Sequence, residues 1–320
     1  MKIAIIGNYG AGNIGDEMIL AGLLEILKNQ HEAIVLSANP AETQKQHQVK
    51  AISQYPGGIR SLIKNLFKKS DKKAFKDSKA VIIGGGGLFA GPERRANIIW
   101  GIHALMALIY TKPLFMLGQS IGSPKSFLEK KLIQYLFKKA KYISVRDSDS
   151  KKELEKLGVK AVNLHPDFAF FQNPMLKATK KTKQTIVALR QKPLSKKEKQ
   201  EIAKKLDKIA KTSPLNFLLF QPNTDKEITA QITSLMQNKN YKISPSLSIK
   251  QTLEEINKSK YLVGMRLHSL ISALICHTPF TAIPYAKKVE SLLKDIAKNT
   301  RPTNTEQAKK EILKALDRIH

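Results

Sequence analysis

Two arginines and a histidine follow apolar segments that have the character of buried strands. Arg146 stands in the stretch VRDSDS, and Arg266 and His268 stand in the stretch GMRLHS. Guanidinium groups bind phosphate and carboxylate groups in a bidentate manner, and an imidazole exchanges a proton near neutral pH. A strand-end arginine beside a histidine is therefore suited to holding an anionic substrate and moving a proton.

Two glycine-rich turns also follow apolar strands. The stretch GAGNIG, residues 10–15, has G-x-G-x-x-G spacing, and Gly84–Gly87 end a second strand. Glycines let the backbone approach a ligand closely, and the helix N-terminus after the first turn offers free N–H groups and a positive dipole end. Because open α/β sheets bind ligands at the carboxyl ends of their strands, both turns indicate ligand contacts. The alternative is a tight turn without a ligand.

The first glycine turn does not fit a dinucleotide. Such a site usually carries Asp or Glu at the end of the second strand, but the chain has Ser37–Asn39 there. Asp16 and Glu17 also occupy the first helical turn, where a pyrophosphate would sit. We therefore expect a polar loop that binds an acceptor. The alternative is that Asp16 caps a helix after a glycine-rich connection.

The elements that position these residues alternate along the chain. Apolar strand-like segments are separated by longer segments of helical periodicity, which predicts the α/β class with doubly wound parallel sheets. The predicted strands are Lys2–Ile6, Ala33–Leu36, Ala80–Ile83, Leu114–Leu117, Tyr142–Val145, Ala161–Leu164, Thr185–Leu189, Asn216–Phe220, Tyr241–Ile243, Tyr261–Val263 and Phe280–Ile283. The predicted helices are Asp16–Lys28, Lys125–Lys139, Lys196–Thr212, Lys226–Met236, Ser248–Asn257, Leu267–Cys276 and Lys288–Lys298.

A lysine-rich stretch that contains a proline, Phe171–Gln184, interrupts this alternation. We place the interdomain linker there, so that residues 1–177 form an N-terminal Rossmann-like domain and residues 178–320 a C-terminal one. The two domains are expected to face one cleft. A final helix, Thr305–Ile319, carries one apolar stripe and is expected to pack back on the first domain.

Composition restricts the class of protein. Of the 320 residues, 42% are apolar, and no apolar run approaches the length of a membrane span. The first apolar segment reaches Gly7, too early for the core of a signal peptide, so we expect a cytoplasmic protein. Cys276 is the one cysteine and lies in an apolar segment. This excludes a disulfide framework and a cysteine zinc site and predicts a buried, unreactive thiol.

The chain is strongly basic, with 55 Lys and Arg against 26 Asp and Glu and a formal net charge of +29. Such a charge attracts nucleic acid, anionic lipid headgroups or phosphorylated substrates. Arginines and aromatic residues are sparse in the lysine clusters, which disfavours nucleic acid. The segment Ile63–Lys79 places apolar residues at helical spacing among lysines and indicates an anionic membrane surface as a partner. A solvated, lysine-rich surface is the alternative.

An ordered set of motifs carries a family resemblance. GNYGAGNIGDEMIL, VIIGGGGLF, LGQSIG, VRDSDS, PDFAFF and GMRLHSLISAL follow one another along the chain. With this set the sequence resembles the polysaccharide pyruvyl transferase family, and it is similar to the branch that acts on bacterial cell-wall polymers. The resemblance covers nearly the whole length. One departure is Ser123 after SIG, where the family pattern has the proline that here comes next, as Pro124.

The resemblance implies a GT-B-like fold, phosphoenolpyruvate as co-substrate with no bound cofactor, and a lipid-linked cell-wall or exopolysaccharide sugar as acceptor. Such an enzyme would work in the cytoplasm, peripherally on the inner face of the plasma membrane. The implied donor site consists of Arg146, Arg266, Leu267 and His268. The implied acceptor side consists of Asn13, Asp16, Glu17 and the glycine turn with Gly85, Gly86 and Gly87.

The implied chemistry matches these residue types. Two guanidinium groups can hold the phosphate and the carboxylate of phosphoenolpyruvate. The catalytic pair would be His268, which protonates the enol methylene, and Asp16, which accepts a proton from a sugar hydroxyl; Glu17 is the alternative base. The scheme requires no metal.

Two other classes of protein remain open on the sequence. A glycosyltransferase that uses a nucleotide sugar would share the fold and would also need an anion-binding cleft. A non-enzymatic protein that binds polyanions or a membrane surface would explain the charge. It would leave the glycine turns and GMRLHS without a role.

Overall fold

The computed structural model describes residues 1–54, 74–90, 94–172, 176, 180–244, 246–283, 287–297 and 304–319. The chain divides into two compact units. The first comprises Met1–Ala11, Asp16–Gln172 and Ser291–His320. The second comprises the short stretch Gly12–Gly15 together with Asn173–Glu290. The predicted boundary between residues 177 and 178 lies outside the described residues, as does most of the predicted membrane segment Ile63–Lys79.

The first unit is built on a parallel sheet with the order β3-β2-β1-β4-β6-β7-β8, and β5 pairs with β6 beside this path. Its strands are β1 (Lys2–Ile6), β2 (Glu32–Ser37), β3 (Lys50–Ser53), β4 (Ala80–Ile83), β5 (Gly86–Phe89), β6 (Leu114–Ile121), β7 (Tyr142–Val145) and β8 (Val162–Leu164). Its helices are α1 (Ile14–Leu27), α2 (Pro40–His47), α3 (Arg94–Ile109), α4 (Phe127–Lys139), α5 (Ser148–Lys156) and a 3-10 turn at Phe168–Phe170.

The second unit has a smaller parallel sheet with the order β11-β10-β9-β12-β13. Its strands are β9 (Thr185–Ala188), β10 (Leu215–Leu218), β11 (Tyr241–Ser244), β12 (Tyr261–Gly264) and β13 (Phe280–Ala282). Its helices are α6 (Lys196–Ala210), α7 (Pro222–Leu235), α8 (Ile249–Lys258) and α9 (Leu267–Ile275). Helix α10 (Lys287–Ala297) leads into the first unit, which also contains α11 (Thr305–Asp317).

Both faces of the first sheet are covered, which explains why its strands are continuous apolar runs rather than alternating ones. In β1, Ile3 and Ile5 pack on the side that carries α1 and α11. Ala4 and Ile6 pack on the opposite side, with α3 and α4. The apolar stripe of α11 is part of this core, since Ile312 has no exposed surface.

The predicted strands and helices are confirmed to within a few residues, and so is the doubly wound parallel α/β class of each unit. One start was wrong: α7 begins at Pro222 rather than Lys226, because a proline is well suited to the first turn of a helix. The prediction also missed α2, α3, α5, β3 and β5; in α2 only Thr43 is buried, which leaves no apolar periodicity. Within the described part of the chain, no helix has both the length and the apolar character that a membrane crossing needs.

Candidate functional site

A buried tyrosine shapes the carboxyl edge of the first sheet. Tyr9 follows β1 and has no exposed surface. A Cβ on Gly7 would lie 2.5 Å from Tyr9 Cζ, and a Cβ on Gly84 would overlap the Tyr9 hydroxyl, so the two glycines make room for the ring. Burial raises the pKa of Tyr9 well above its usual value, and the negative charges of Asp16 and Glu17 raise it further. The phenol therefore stays protonated at this edge.

Asp16 is fixed beside the second glycine turn. Asn8 Nδ2 donates to Asp16 Oδ2 at 2.7 Å. The other oxygen, Oδ1, faces Gly86, where an added Cβ would lie 3.5 Å from it. Gly86 has a φ of +111°, which side-chain-bearing residues rarely adopt. The Asp16 carboxylate is half-buried, and the bond from Asn8 orients it; its role as a general base stays a prediction.

Glu17 has a different environment from Asp16. It is buried, and its Oε1 accepts from Gly10 N at 2.7 Å while its Oε2 lies 2.8 Å from His47 Nε2. Gly10 has a φ of +71°, so Glu17 anchors the left-handed start of the first glycine turn. Both carboxylate oxygens of Glu17 are thus engaged within the protein. His47 was not found from the sequence, because it lies 30 residues away and belongs to a helix with no apolar pattern.

Gln119 of β6 holds the start of the turn Gly84–Gly87 by hydrogen bonds to its backbone. Gln119 Nε2 donates to the carbonyl oxygens of Ile83 at 2.9 Å and of Gly84 at 2.6 Å. The chain then continues as β5, which pairs Gly86 with Gln119. The predicted residues Gly85, Gly86 and Gly87 thus lie at the carboxyl edge, and Gly86 is next to Asp16. Their role in binding an acceptor stays a prediction.

Arg146 also lies at this edge, in a buried ion pair. Its Nη1 donates to Asp167 Oδ2 at 2.6 Å and its Nε donates to Ser120 Oγ at 2.6 Å. The side chains of Arg146 and Asp167 are 4% and 6% exposed. Asp167 Oδ1 also accepts from Ala169 N, which orients the carboxylate. The pair joins the ends of β6, β7 and β8, and a donor-binding role for Arg146 stays a prediction.

In the second unit, Arg266 follows β12 and is held by the start of α7. Its Nη2 donates to Asp225 Oδ1, to Gln221 Oε1 at 3.1 Å and to Thr224 Oγ1 at 3.2 Å. Asp225 has no exposed surface, and its second oxygen accepts from Gln221 N at 2.9 Å. Among the described residues, Arg266 Nε is a buried donor without an acceptor. Asp225 therefore fixes the plane of the guanidinium without using the Nε N–H.

His268 lies in the first turn of α9 and is half-buried. Within the second unit it packs against the stretch Gly12–Gly15: a Cβ on Gly15 would overlap His268 Nδ1. The stretch is held by the bond from Ile14 N to Phe220 O at 2.9 Å and by the bond from Gly15 N to Asn13 Oδ1 at 3.1 Å. The absence of a side chain at Gly15 thus sets the position of the imidazole. Leu267, which was also predicted for the donor site, is the first residue of α9 and is buried.

Other titratable groups lie apart from this arrangement. His165 Nε2 lies 3.1 Å from Glu311 Oε2 and 3.3 Å from the Tyr142 hydroxyl, and burial lowers the pKa of His165. Burial raises the pKa of the Cys276 thiol to about 12, which agrees with an unreactive cysteine. In the portion of the chain that is described, no group of three or more His, Cys, Asp or Glu side chains is placed to hold a metal ion.

Two doubly wound parallel domains define the GT-B-like class of α/β protein, and comparison with solved structures agrees. The chain is similar to UDP-GlcNAc 2-epimerase from Methanocaldococcus jannaschii, with a TM-score of 0.62 at 13% identity over 99% of both chains. It is also similar to UDP-GlcNAc 2-epimerase from Neisseria meningitidis, with a TM-score of 0.61 at 14% identity over 92% of this chain and 85% of that one. At these identities the likeness shows the fold alone.

Sequence comparison is more specific. The family model described as polysaccharide pyruvyl transferase matches residues 13–287, and the chain belongs to that family. A curated relative is the amylovoran biosynthesis protein AmsJ of Erwinia amylovora, which is 26% identical over 208 residues. That match spans 53% of this chain and 49% of AmsJ, so the two proteins align over about half of their lengths. The predicted family is confirmed.

Proposed function

We propose that the protein transfers the enolpyruvyl group of phosphoenolpyruvate to a saccharide and closes it into a pyruvyl ketal. Membership of the polysaccharide pyruvyl transferase family and the likeness to an amylovoran biosynthesis protein support this reaction. The observation that carries the proposal is the ion pair between Arg266 and Asp225. Arg266 stands two residues before His268 in the chain. Within the described ranges this pairing leaves the buried Arg266 Nε N–H without an acceptor.

Arg266 would bind the donor. Phosphoenolpyruvate carries a phosphate and a carboxylate, and both accept charge-assisted hydrogen bonds from guanidinium groups. Asp225 neutralises the buried arginine before the donor arrives and fixes its plane. The donor would then gain a pre-oriented Nε N–H, with little ordering of the side chain on binding.

His268 would supply the proton that starts the reaction. Protonation of the terminal methylene carbon turns it into a methyl group and leaves a cationic carbon that bears the phosphate and the carboxylate.

Asp16 would act on the acceptor. A sugar hydroxyl attacks the cationic carbon and gives up its proton to the carboxylate, whose orientation is fixed by Asn8. The bond from this carbon to the phosphate oxygen then breaks and phosphate leaves. A second hydroxyl of the same sugar attacks and loses its proton, so the products are a cyclic ketal and inorganic phosphate.

The finer proposal is that the acceptor is lipid-linked and that the reaction takes place on the inner face of the plasma membrane. The positive charge of the chain supports it, since an anionic leaflet attracts basic surfaces. A glycosyltransferase that uses a nucleotide sugar is the second candidate, because the GT-B-like fold suits it equally well.

Mass spectrometry distinguishes pyruvyl transfer from sugar transfer. Purified protein is incubated with phosphoenolpyruvate and lipid-linked glycans, and with UDP- or GDP-sugars in a parallel reaction. We expect a pyruvyl ketal and released phosphate in the first reaction and no transfer in the second. In a thermal-shift assay phosphoenolpyruvate should protect the protein. Protection by UDP or GDP alone, with sugar transfer and no ketal, would establish the second candidate instead.

A further inference from the structure

Helix α4 carries an exposed face that combines large apolar side chains with lysines. Phe127, Leu128 and Tyr135 are 70%, 79% and 50% exposed, although residues of this size are usually buried. The exposed lysines of the same helix are Lys130, Lys131, Lys138 and Lys139. At about 100° per residue these seven side chains span about half of the helix circumference. The opposite half, with Ile133, Leu136 and Phe137, is buried in the core.

No exposed acid on α4 balances this face. The one acidic residue of the helix, Glu129, is buried; it accepts from Asn97 Nδ2 and, at 2.8 Å, from Lys125 N. Lys131 Nζ lies 5.4 Å from the centroid of the Phe127 ring, so charge and apolar surface adjoin each other. Helix α3 packs beside α4, where Gly101 lies against Leu132, and contributes Ile109, which is 69% exposed.

The first turn of α4 lies at the edge of the sheet that holds Asp16 and the glycine turn. Strand β6 ends at Ile121, and α4 follows it with Ser126 as its N-cap. In a parallel α/β unit the helix begins at the carboxyl end of the strand before it. Phe127 and Leu128 therefore project from the proposed acceptor side of the first unit.

We infer that the exposed face of α4 docks the protein on an anionic lipid surface. Phe127, Leu128 and Tyr135 would enter the headgroup region while the four lysines pair with anionic headgroups. Lipid fits better than nucleic acid because this face has no arginine for bidentate contacts to bases or phosphates. The location of the face beside the acceptor edge rests on the proposed function, in which a lipid-linked sugar must reach Asp16.

Liposome co-sedimentation tests the docking without any catalysis. Vesicles of phosphatidylcholine with about 35% phosphatidylglycerol, an anionic content that attracts basic surfaces, are compared with pure phosphatidylcholine. The first variant set is Phe127→Ser with Leu128→Ser. The second is Lys→Gln at 130, 131, 138 and 139. The control set is Lys→Gln at 197, 204, 205 and 208 of α6, which removes the same charge from the second unit.

We expect binding to anionic vesicles that falls with salt and is weak on neutral vesicles. The α4 lysine set should reduce it by about five-fold per lysine near the surface, and the Phe127 and Leu128 set by at least about ten-fold. The α6 set should bind about as well as the wild type. Equal losses in the α4 and α6 lysine sets would overturn the docking face in favour of bulk charge. Binding that the Phe127 and Leu128 set leaves unchanged, or that RNA abolishes at equal charge, would overturn it as well.

Pyruvyl transfer to a water-soluble acceptor that lacks the lipid distinguishes a failure of membrane docking from a failure of the proposed function. Variants of α4 should retain wild-type turnover on the soluble acceptor and lose it on the vesicle-bound acceptor. Docking without any ketal formation would contradict the proposed function while leaving the surface assignment intact.

Discussion

Removal of the Arg266 guanidinium should affect folding and donor binding by different amounts, and a second substitution should separate the two. Arg266→Ala leaves Asp225, which has no exposed surface, as a buried charge without its partner. Breaking a buried pair from one side costs about 3–5 kcal/mol. For a domain of this size that corresponds to a fall in Tm of roughly 6–20 °C. Weak donor binding by this variant alone would therefore be ambiguous.

The double variant Arg266→Met with Asp225→Asn removes both charges at once. The new amide would keep its oxygen as the acceptor for Gln221 N, and its NH2 group, in the place of Oδ1, would donate to Thr224 Oγ1, so we expect most of the lost stability to return. The donor should still bind poorly, because the charged hydrogen bonds of Arg266 contribute about 1.5–3 kcal/mol. The Kd for phosphoenolpyruvate should therefore rise by about 10- to 150-fold.

Calorimetric titration with phosphoenolpyruvate and thermal unfolding by circular dichroism measure the two quantities. Arg266→Lys serves as the control: it keeps the charge opposite Asp225 but lacks the Nε N–H, so it should fold and bind the donor weakly. Wild-type donor affinity in the double variant would refute the assignment of Arg266 to the donor site. A wild-type Tm for Arg266→Ala would refute the ion-pair energetics.

Three further substitutions test other parts of the site and the core. Gly15→Ala should displace the His268 imidazole, since the new Cβ overlaps Nδ1, and lower kcat while the Tm changes little; a wild-type kcat would show that the imidazole position is unimportant. His268→Gln should lower kcat by about 10²–10⁴-fold with a much smaller change in donor Kd, and parallel losses would make it a binding residue instead. Burial lowers the pKa of His103, so the folded protein binds a proton at this imidazole less readily than the unfolded protein does. The free energy of unfolding should therefore fall as the pH drops below about 6.5, by up to about 1.4 kcal/mol per pH unit. Urea unfolding at about pH 7.5 and 5.5, on either side of the ordinary histidine pKa, should show a smaller fall for His103→Leu, and an equal fall would contradict the assignment.

Sequence patterns located the strand ends well because buried parallel strands are continuous apolar runs. Arg266 and His268 directly follow such a run, and Gly84–Gly87 follow another, so their places at carboxyl edges could be predicted. The partners of these residues could not. Asp225 is 41 residues from Arg266, and Asp167 is 21 residues from Arg146. Pairs that depend on how separate strands and helices pack leave no local pattern.

The same limit applies to the glycine turns. The spacing of Gly10–Gly15 indicated a ligand loop, yet its three glycines meet two different requirements. Gly10 and Gly12 take left-handed conformations, the first of them anchored by Glu17, and Gly15 leaves room for His268. Tyr9 requires Gly7 and Gly84 for its buried ring, a demand of packing rather than of ligand binding. Only the fold separates these roles.

Ketal formation in heavy water tests whether the protein moves a pyruvyl group to a saccharide with protonation of the enol methylene. The protein is incubated in D₂O with phosphoenolpyruvate and the lipid-linked glycan, and the released sugar is analysed by mass spectrometry and NMR. If a protonated side chain delivers a solvent-derived proton to the enol methylene, the product is a pyruvyl ketal with a singly deuterated methyl group, and inorganic phosphate is released in equal amount. An acceptor that gains no pyruvyl group, or one that gains an enol ether with its methylene intact, would show that the proposed reaction is wrong.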